Sequence, residues 1–187
     1  YKTLNAISKR VYSNFNKSNI NEDIFYIEIG DILVSDGTFD YKLVPIKHAP
    51  ENAKIKLNGG EILISMVRPT RGAITLIPDS LPKNKKVICS GAFYVIKIDD
   101  LKVREILWLF IRLIKMCFEK YCTGTSYPTI EPKYLSHFPI PNFDEPIVKI
   151  VGELIIKSQE SKRLSKQLLE LAKINVEHLI EEAATKQ

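Results

Sequence analysis

Late in the chain, apolar residues fall at intervals of three and four: Ile147, Ile150, Val151, Leu154 and Ile155, then Leu164, Leu168, Leu169, Leu171, Ala172, Val176 and Leu179. That spacing keeps one face of a helix apolar, and no proline follows Pro146 to interrupt it. The pattern predicts one helix from Glu145 to about Ala183, roughly 55 to 60 Å long at about 1.5 Å per residue. Within it, Val151, Leu154, Ser158, Ser161, Ser165, Leu168, Ala172, Asn175 and Leu179 alternate steps of three and four, the seam of a coiled coil. The three central serines are small enough to let two backbones approach closely, and Ile155, Leu164 and Leu171 flank the seam with apolar area. A helix this long cannot bury its stripe on a small domain alone. It either pairs with another helix or folds back on its own body.

Ahead of it the pattern is different. Phe25 to Ile32 alternates and is rich in aromatic and β-branched residues, which predicts a strand. Asp36-Gly37-Thr38 marks a turn, Lys42 to Pro45 an extended run, Pro50 to Ala53 the opening of a short helix, and Asn58-Gly59-Gly60 a tight turn. Gly60 to Arg68 and Ala73 to Ile77 form a hairpin with Arg68, Thr70 and Arg71 at its tip. Strands Val87 to Cys89 and Phe93 to Ile98 follow a basic loop. Asp99-Asp100 suits a helix N-terminus, and Leu101 to Tyr121 reads as an apolar spine carrying Trp108, Phe110, Leu113, Ile114 and Cys117. The expected fold class is α+β: a mixed β-sheet domain over residues 1–144 packed on an apolar helix, then a long coiled-coil helix over residues 145–187.

Charge separates the same two regions. The first 144 residues hold 20 Lys and Arg against 15 Asp and Glu, and the remainder 7 against 7, so the whole excess of +5 sits on the body. A basic body with a neutral rod suits a reader of polyanions held at a fixed spacing.

Little suggests catalysis. There is no G-x-x-x-x-G-K or G-x-G-x-x-G phosphate loop, and no Asn-Pro-Pro-aromatic loop of an amino-methyltransferase. A metal-dependent nuclease would have to pair Asp79 with Glu131, across a long gap and beside Pro132. Cys89, Cys117 and Cys122 contain no C-x-x-C and show no ligand spacing with His48, His137 or His178, so neither a metal nor a cofactor is expected. The cysteines are expected to be reduced, buried and cytosolic. The run Ile106 to Phe118 is interrupted by Arg112 and Lys115 and is too short for a bilayer, which implies no membrane and a cytoplasmic setting. The chain opens on Tyr1 without a methionine, as a fragment or processed form would.

Binding residues are easier to nominate. An arginine fork such as Arg68 or Arg71 can bond a guanine edge or clamp a phosphate. Lys83, Lys85 and Lys86 supply point charges suited to phosphates. Thr125, Ser126 and Tyr127, with Thr129, add hydroxyls and one aromatic face after the spine. Ordinary salt bridges for the arginines, a solvated loop for the lysines and a plain turn at Thr125 to Thr129 are the structural alternatives.

Taken together, Gly60-Glu61-Ile62-Leu63-Ile64-Ser65 with its hairpin, an apolar helix, Gly124-Thr125-Ser126 with Pro128 and Ile130, then Leu135, Phe138-Pro139-Ile140-Pro141 and a long helix resemble one family. These are the specificity subunits of type I restriction-modification systems, which the ordered motifs match over nearly the whole chain. The resemblance implies a non-catalytic domain that reads one half of a bipartite DNA site. It also implies a helix that pairs antiparallel with a second such helix and docks methyltransferase subunits. The family's subunits carry two of each element, whereas this chain carries one. The resemblance therefore leaves open a half-subunit that homodimerises, a fragment, or the C-terminal recognition module of a fused DNA adenine methyltransferase or type II restriction enzyme. A coiled-coil interaction protein that binds no DNA is the remaining alternative.

Overall fold

The computed structural model describes residues 1–185. The chain divides into two compact units, Tyr1–Phe143 and a second that begins at Asp144.

In chain order, the first unit contains β1 (Lys2–Thr3), α1 (Leu4–Ile7), β2 (Lys9–Val11), β3 (Ile24–Ile27), β4 (Lys42–Val44), β5 (Ala53–Leu57), β6 (Ile62–Ser65) and β7 (Ile74–Leu76). There follow β8 (Val87–Ser90), β9 (Phe93–Lys97), α2 (Leu101–Leu113), β10 (Cys122–Thr123), β11 (Thr129–Ile130), α3 (Pro132–Ser136) and β12 (Pro139–Ile140). One four-stranded sheet runs β2-β9-β6-β7 and is antiparallel throughout; the other runs β4-β3-β8-β5 and is mixed, because β3 and β8 are parallel. Side chains alternate across each strand, so the sheets meet over one apolar layer. Leu63, Phe93 and Val95 from the first sheet pack with Ile27, Ile55, Leu57, Val87 and Cys89 from the second. Each such side chain, fully buried, contributes about 1.5 to 3 kcal/mol. Ile24, Tyr26, Ala53 and Ile88 form a second cluster with Ala49.

Helix α2 lies along β7 with Leu107, Trp108 and Ile111 buried. Arg112 secures its end, donating to the carbonyls of Ile74 at 2.9 Å and Val34 at 3.1 Å. At the opposite end of the β6–β7 hairpin, the buried Glu61 carboxylate accepts from the amides of Asn58 at 2.9 Å and Gly59 at 2.8 Å. Arg104 grips Asp79 with two bonds of 2.5 and 3.0 Å.

Four expectations change. The spine does not stay α-helical to Tyr121: α2 ends at Leu113, and Lys115–Tyr121 continue as a 3-10 helix. The change from 3.6 to about 3.0 residues per turn rotates the faces. Phe118 turns inward against Phe138, with centroids 5.1 Å apart, while Cys117 turns outward; Leu113, the last residue of α2, is exposed as well. Of the three cysteines only Cys89 is buried, and burial pushes its thiol well above the ordinary range. Pro50 to Ala53 opens no helix; the backbone turns there and enters β5, whose Ala53, Ile55 and Leu57 face inward between Lys54 and Lys56. The strand predicted to Ile32 stops at Ile27, because Asp31 accepts from the Glu28 amide at 2.9 Å and folds Ile29–Asp31 into a 3-10 turn.

The second unit is α4, Glu145–Thr185, 41 residues in one helix. Pro146 sits in its first turn, where a missing amide costs nothing. At about 1.5 Å per residue the rod is roughly 60 Å long. Its seam lies largely open: Leu154, Leu168 and Leu179 are 60%, 57% and 65% exposed, and Ser158, Ser161, Ser165 and Ala172 are exposed with them. Val151 is half-buried. Residues 186–187 of the expected helical segment lie outside the described residues. Among the described residues, no helix is long and apolar enough to cross a membrane.

Candidate nucleic-acid interface

Two loops far apart in sequence are stitched into one surface at the end of β6. Past Ser65 the chain keeps an extended path, and Ile130 donates its amide to the Met66 carbonyl at 2.9 Å while Arg68 donates its own to Pro128 at 2.7 Å. Val67 and Thr129 face each other between these bonds as an antiparallel bridge. The hairpin tip and the loop after the spine thus share a short ladder.

Arg68 closes the join. It adopts φ 48° and ψ 52°, the one left-handed non-glycine among the described residues. Such a conformation costs an L-residue about 1 to 2 kcal/mol, so its surroundings must hold it there. They do so through the side chain as well: one guanidinium nitrogen donates to the Ser126 carbonyl at 3.1 Å, and the group lies 4.1 Å from the centroid of the Tyr127 ring. Pro69–Arg71 then form one 3-10 turn, ended by Gly72 at φ 85°.

The consequence is a division of labour among the nominated residues. Arg68 is half-buried and its fork already bonds the neighbouring loop, whereas Arg71 is exposed and has room to reach a ligand. Thr70 is half-buried between them. Thr125, Ser126 and Tyr127 are exposed beside the tip, with Tyr127 at 66%. Gly124, at φ 88°, makes the turn that carries them.

Lys115 belongs to this surface and was missed in the sequence. A methyl group at Gly72 would come within 2.7 Å of its Cδ and 2.8 Å of its Nζ, so the lysine lies directly across the glycine. Only the 3-10 turn after α2 brings it there, and no periodicity at Lys115 gives notice of that change.

The lysine loop lies elsewhere. Lys86 immediately precedes β8, while the tip adjoins the strand's far end through a bond from the Met66 amide to the Ala92 carbonyl at 3.0 Å. Four strand residues separate the two ends by about 13 Å. Lys83 is exposed and Lys85 half-buried. Lys86 pairs with Glu22, and that bond holds the Glu22 carboxyl below its usual range.

The two carboxylates a nuclease would need are engaged separately. Asp79 is bound by Arg104, and Glu131 pairs with Lys133 at 3.0 Å. Among the described residues no group of three or more His, Cys, Asp or Glu could hold a metal ion.

A two-sheet body with conjoined surface loops, followed by one long helix, defines an α+β architecture. Its relatives among solved structures are specific. The HsdS subunit from Thermoanaerobacter tengcongensis aligns with a TM-score of 0.64 and 25% identity, covering 87% of this chain and 43% of that one. A structure on complex assembly and conformational transition of the type I R-M system aligns with a TM-score of 0.65 and 23% identity over 89% of this chain and 44% of its own. The resemblance to type I specificity subunits therefore holds in three dimensions. The chain spans less than half the length of either structure. No protein-family model and no curated protein matches it.

Proposed function

We propose that the chain is a non-catalytic DNA-recognition module of a type I restriction-modification specificity subunit, working in the cytoplasm. In this reading residues 1–144 read one half of a bipartite site, and residues 145–187 pair with a second helix and dock methyltransferase subunits. The observation that carries it is the joined tip. A positively charged body presents Arg71, Thr70 and Tyr127 on one surface, on a fold shared with an HsdS subunit. Arg71 supplies the fork for a base edge or phosphate, while Arg68 acts as a positioning residue that holds Ser126 and Tyr127 beside it. Lys83, Lys85 and Lys86 contribute long-range attraction to phosphates from the other end of β8.

Helix pairing in this reading is antiparallel, and the seam supplies its own support. Set about a two-fold axis near Arg163, Leu154 faces Ala172, Ser158 faces Leu168, Ser161 faces Ser165 and Val151 faces Asn175. Each of these layers but the central one sets a larger side chain against a smaller one. A parallel pair in register would instead stack three serine layers on themselves and leave the middle of the coil underpacked. A second copy of this chain fits the antiparallel register as well as a second helix of a longer protein.

Duplex binding measured at low salt tests the proposal. The wild-type chain should bind and should prefer some sequences, and Arg71→Ala should weaken the preference. A chain that retains no duplex at low salt is an interaction protein of another kind. Plasmid incubated with the chain and magnesium should stay intact.

A further inference from the structure

Away from the joined tip, β2 forms an edge of the antiparallel sheet and carries Arg10 at its centre. The Arg10 guanidinium lies over two aromatic rings, 4.8 Å from the centroid of Tyr12 and 4.9 Å from that of Tyr94. Tyr94 is buried and fixed; Tyr12 is 66% exposed. Contact with the two rings positions the planar group without neutralising its charge. Among the described residues no ion pair joins a carboxylate to Arg10, whereas Lys9 has Asp99, Lys42 has Asp31, Lys86 has Glu22 and Arg104 has Asp79.

Arg10 lines a cleft with Asn5 of α1, Ser8 just after it, and Lys133 and Ser136 of α3. Lys133 is paired with Glu131 at 3.0 Å in an exposed contact that a stronger anion can displace. The lining includes Lys9, Arg10 and Lys133 and no carboxylate, while the Ser8 and Ser136 hydroxyls already donate to the Leu4 and Lys133 carbonyls. A guanidinium without a carboxylate partner sharing a cleft with an ammonium suits a tetrahedral oxyanion bearing one negative charge.

Topology places this cleft beside the proposed reading surface. Val11 pairs with Val95, so Tyr12 comes level with Tyr94, which itself pairs with Ile64 one residue before the end of β6. Two strand spacings, about 10 Å, separate the strands. Lys133 follows β11, the segment bridged to Val67, by only a few residues.

We infer that the Arg10–Tyr12–Lys133 cleft is a second DNA contact, one that binds a backbone phosphodiester of the same duplex whose bases meet the Arg71 tip. It reads no sequence; it fixes how the body sits on the helix. This rests on the DNA-recognition reading above, and the test separates the two. The full chain is titrated with labelled duplexes of preferred and scrambled sequence across a range of NaCl concentrations. Arg10→Gln should weaken binding to both duplexes by a similar factor, roughly three- to tenfold, and lower the slope of log affinity against log salt by about one. Arg10→Lys should restore most of the slope. Lys133→Gln, an exposed site where misfolding is not at issue, should reproduce the loss of slope on its own. If the wild-type chain binds and Arg71→Ala weakens sequence preference, yet Arg10→Gln and Lys133→Gln keep the wild-type slope, the cleft inference is wrong and the recognition reading stands. If Arg10→Gln alters the order of preference among sequences, the cleft reads bases and the inference as stated is overturned. If the wild-type chain binds no duplex, both fall.

Discussion

The body and the rod solve opposite problems. In the body, strands from two sheets bury Leu63, Val95, Ile27 and Val87 to 1% exposure or less. The rod leaves Leu154, Leu168 and Leu179 of its seam, and Leu171 beside it, more than half exposed. The body is complete as a fold and exposes its chemistry in loops; the rod is complete as a helix but exposes its apolar surface. What differs is where each is unfinished. An open loop surface asks for a ligand, and an open apolar seam asks for a second helix.

The largest effect should come from breaking the rod alone. Leu168→Glu places a carboxylate in the seam opposite Ser158, and sedimentation at several concentrations should show self-association weakened by more than about a hundredfold, since a charge buried without a partner costs several kcal/mol. The melting of the body should be unchanged. A next, smaller effect comes from breaking the body alone. Gly59 has φ 97°, and a methyl group there would lie 2.5 Å from the Asp79 carbonyl oxygen, a backbone atom that cannot move aside. Gly59→Ala should lower stability by at least about 2 kcal/mol in denaturant titration and leave the helix pairing intact.

Recognition should respond to Arg71 and Arg68 in different ways. Arg71→Ala should cost about 1 to 3 kcal/mol of discrimination between duplexes without altering the melting temperature. Arg68→Lys keeps the charge but loses the planar fork that bonds Ser126 and stacks on Tyr127. It should blunt discrimination less, and hydrogen exchange of the Thr125 to Tyr127 amides should speed up.

The smallest effect is one of pH. Arg104 holds the Asp79 carboxyl below its ordinary value. A carboxyl depressed on folding adds stability above its unfolded pKa of about 4 and loses that stability as pH falls through the folded value. Body stability should therefore decline in acid below about pH 4, and Asp79→Asn should flatten part of that decline. Asp79 is largely exposed, so the change should be modest.

How much of this could be read beforehand differs between the units in the same way as their packing. The rod is governed by local spacing, so Leu154, Ser161 and Leu168 were placed on one face from the sequence. The β6–β7 hairpin was legible for a similar reason, since two apolar runs flank a turn ended by Gly72. Tertiary pairing was not legible. Arg68 and Tyr127 are far apart in the chain, and nothing local states that Val67 will bridge Thr129. Lys115 and Cys117 were misplaced because the helix tightens after Leu113, a change forced by Phe118 packing on Phe138. Strand β5 carried a readable alternation, Ala53, Ile55 and Leu57 between lysines, but Pro50 ahead of it resembled a helix start.

The central claim is that the body reads a short DNA sequence and the rod sets the distance to a second reading. Selection of bound duplexes from a random library by the wild-type chain tests it most directly. The account predicts one short motif recovered as a mirrored pair with a constant gap. Recovered duplexes with no motif in common would contradict it.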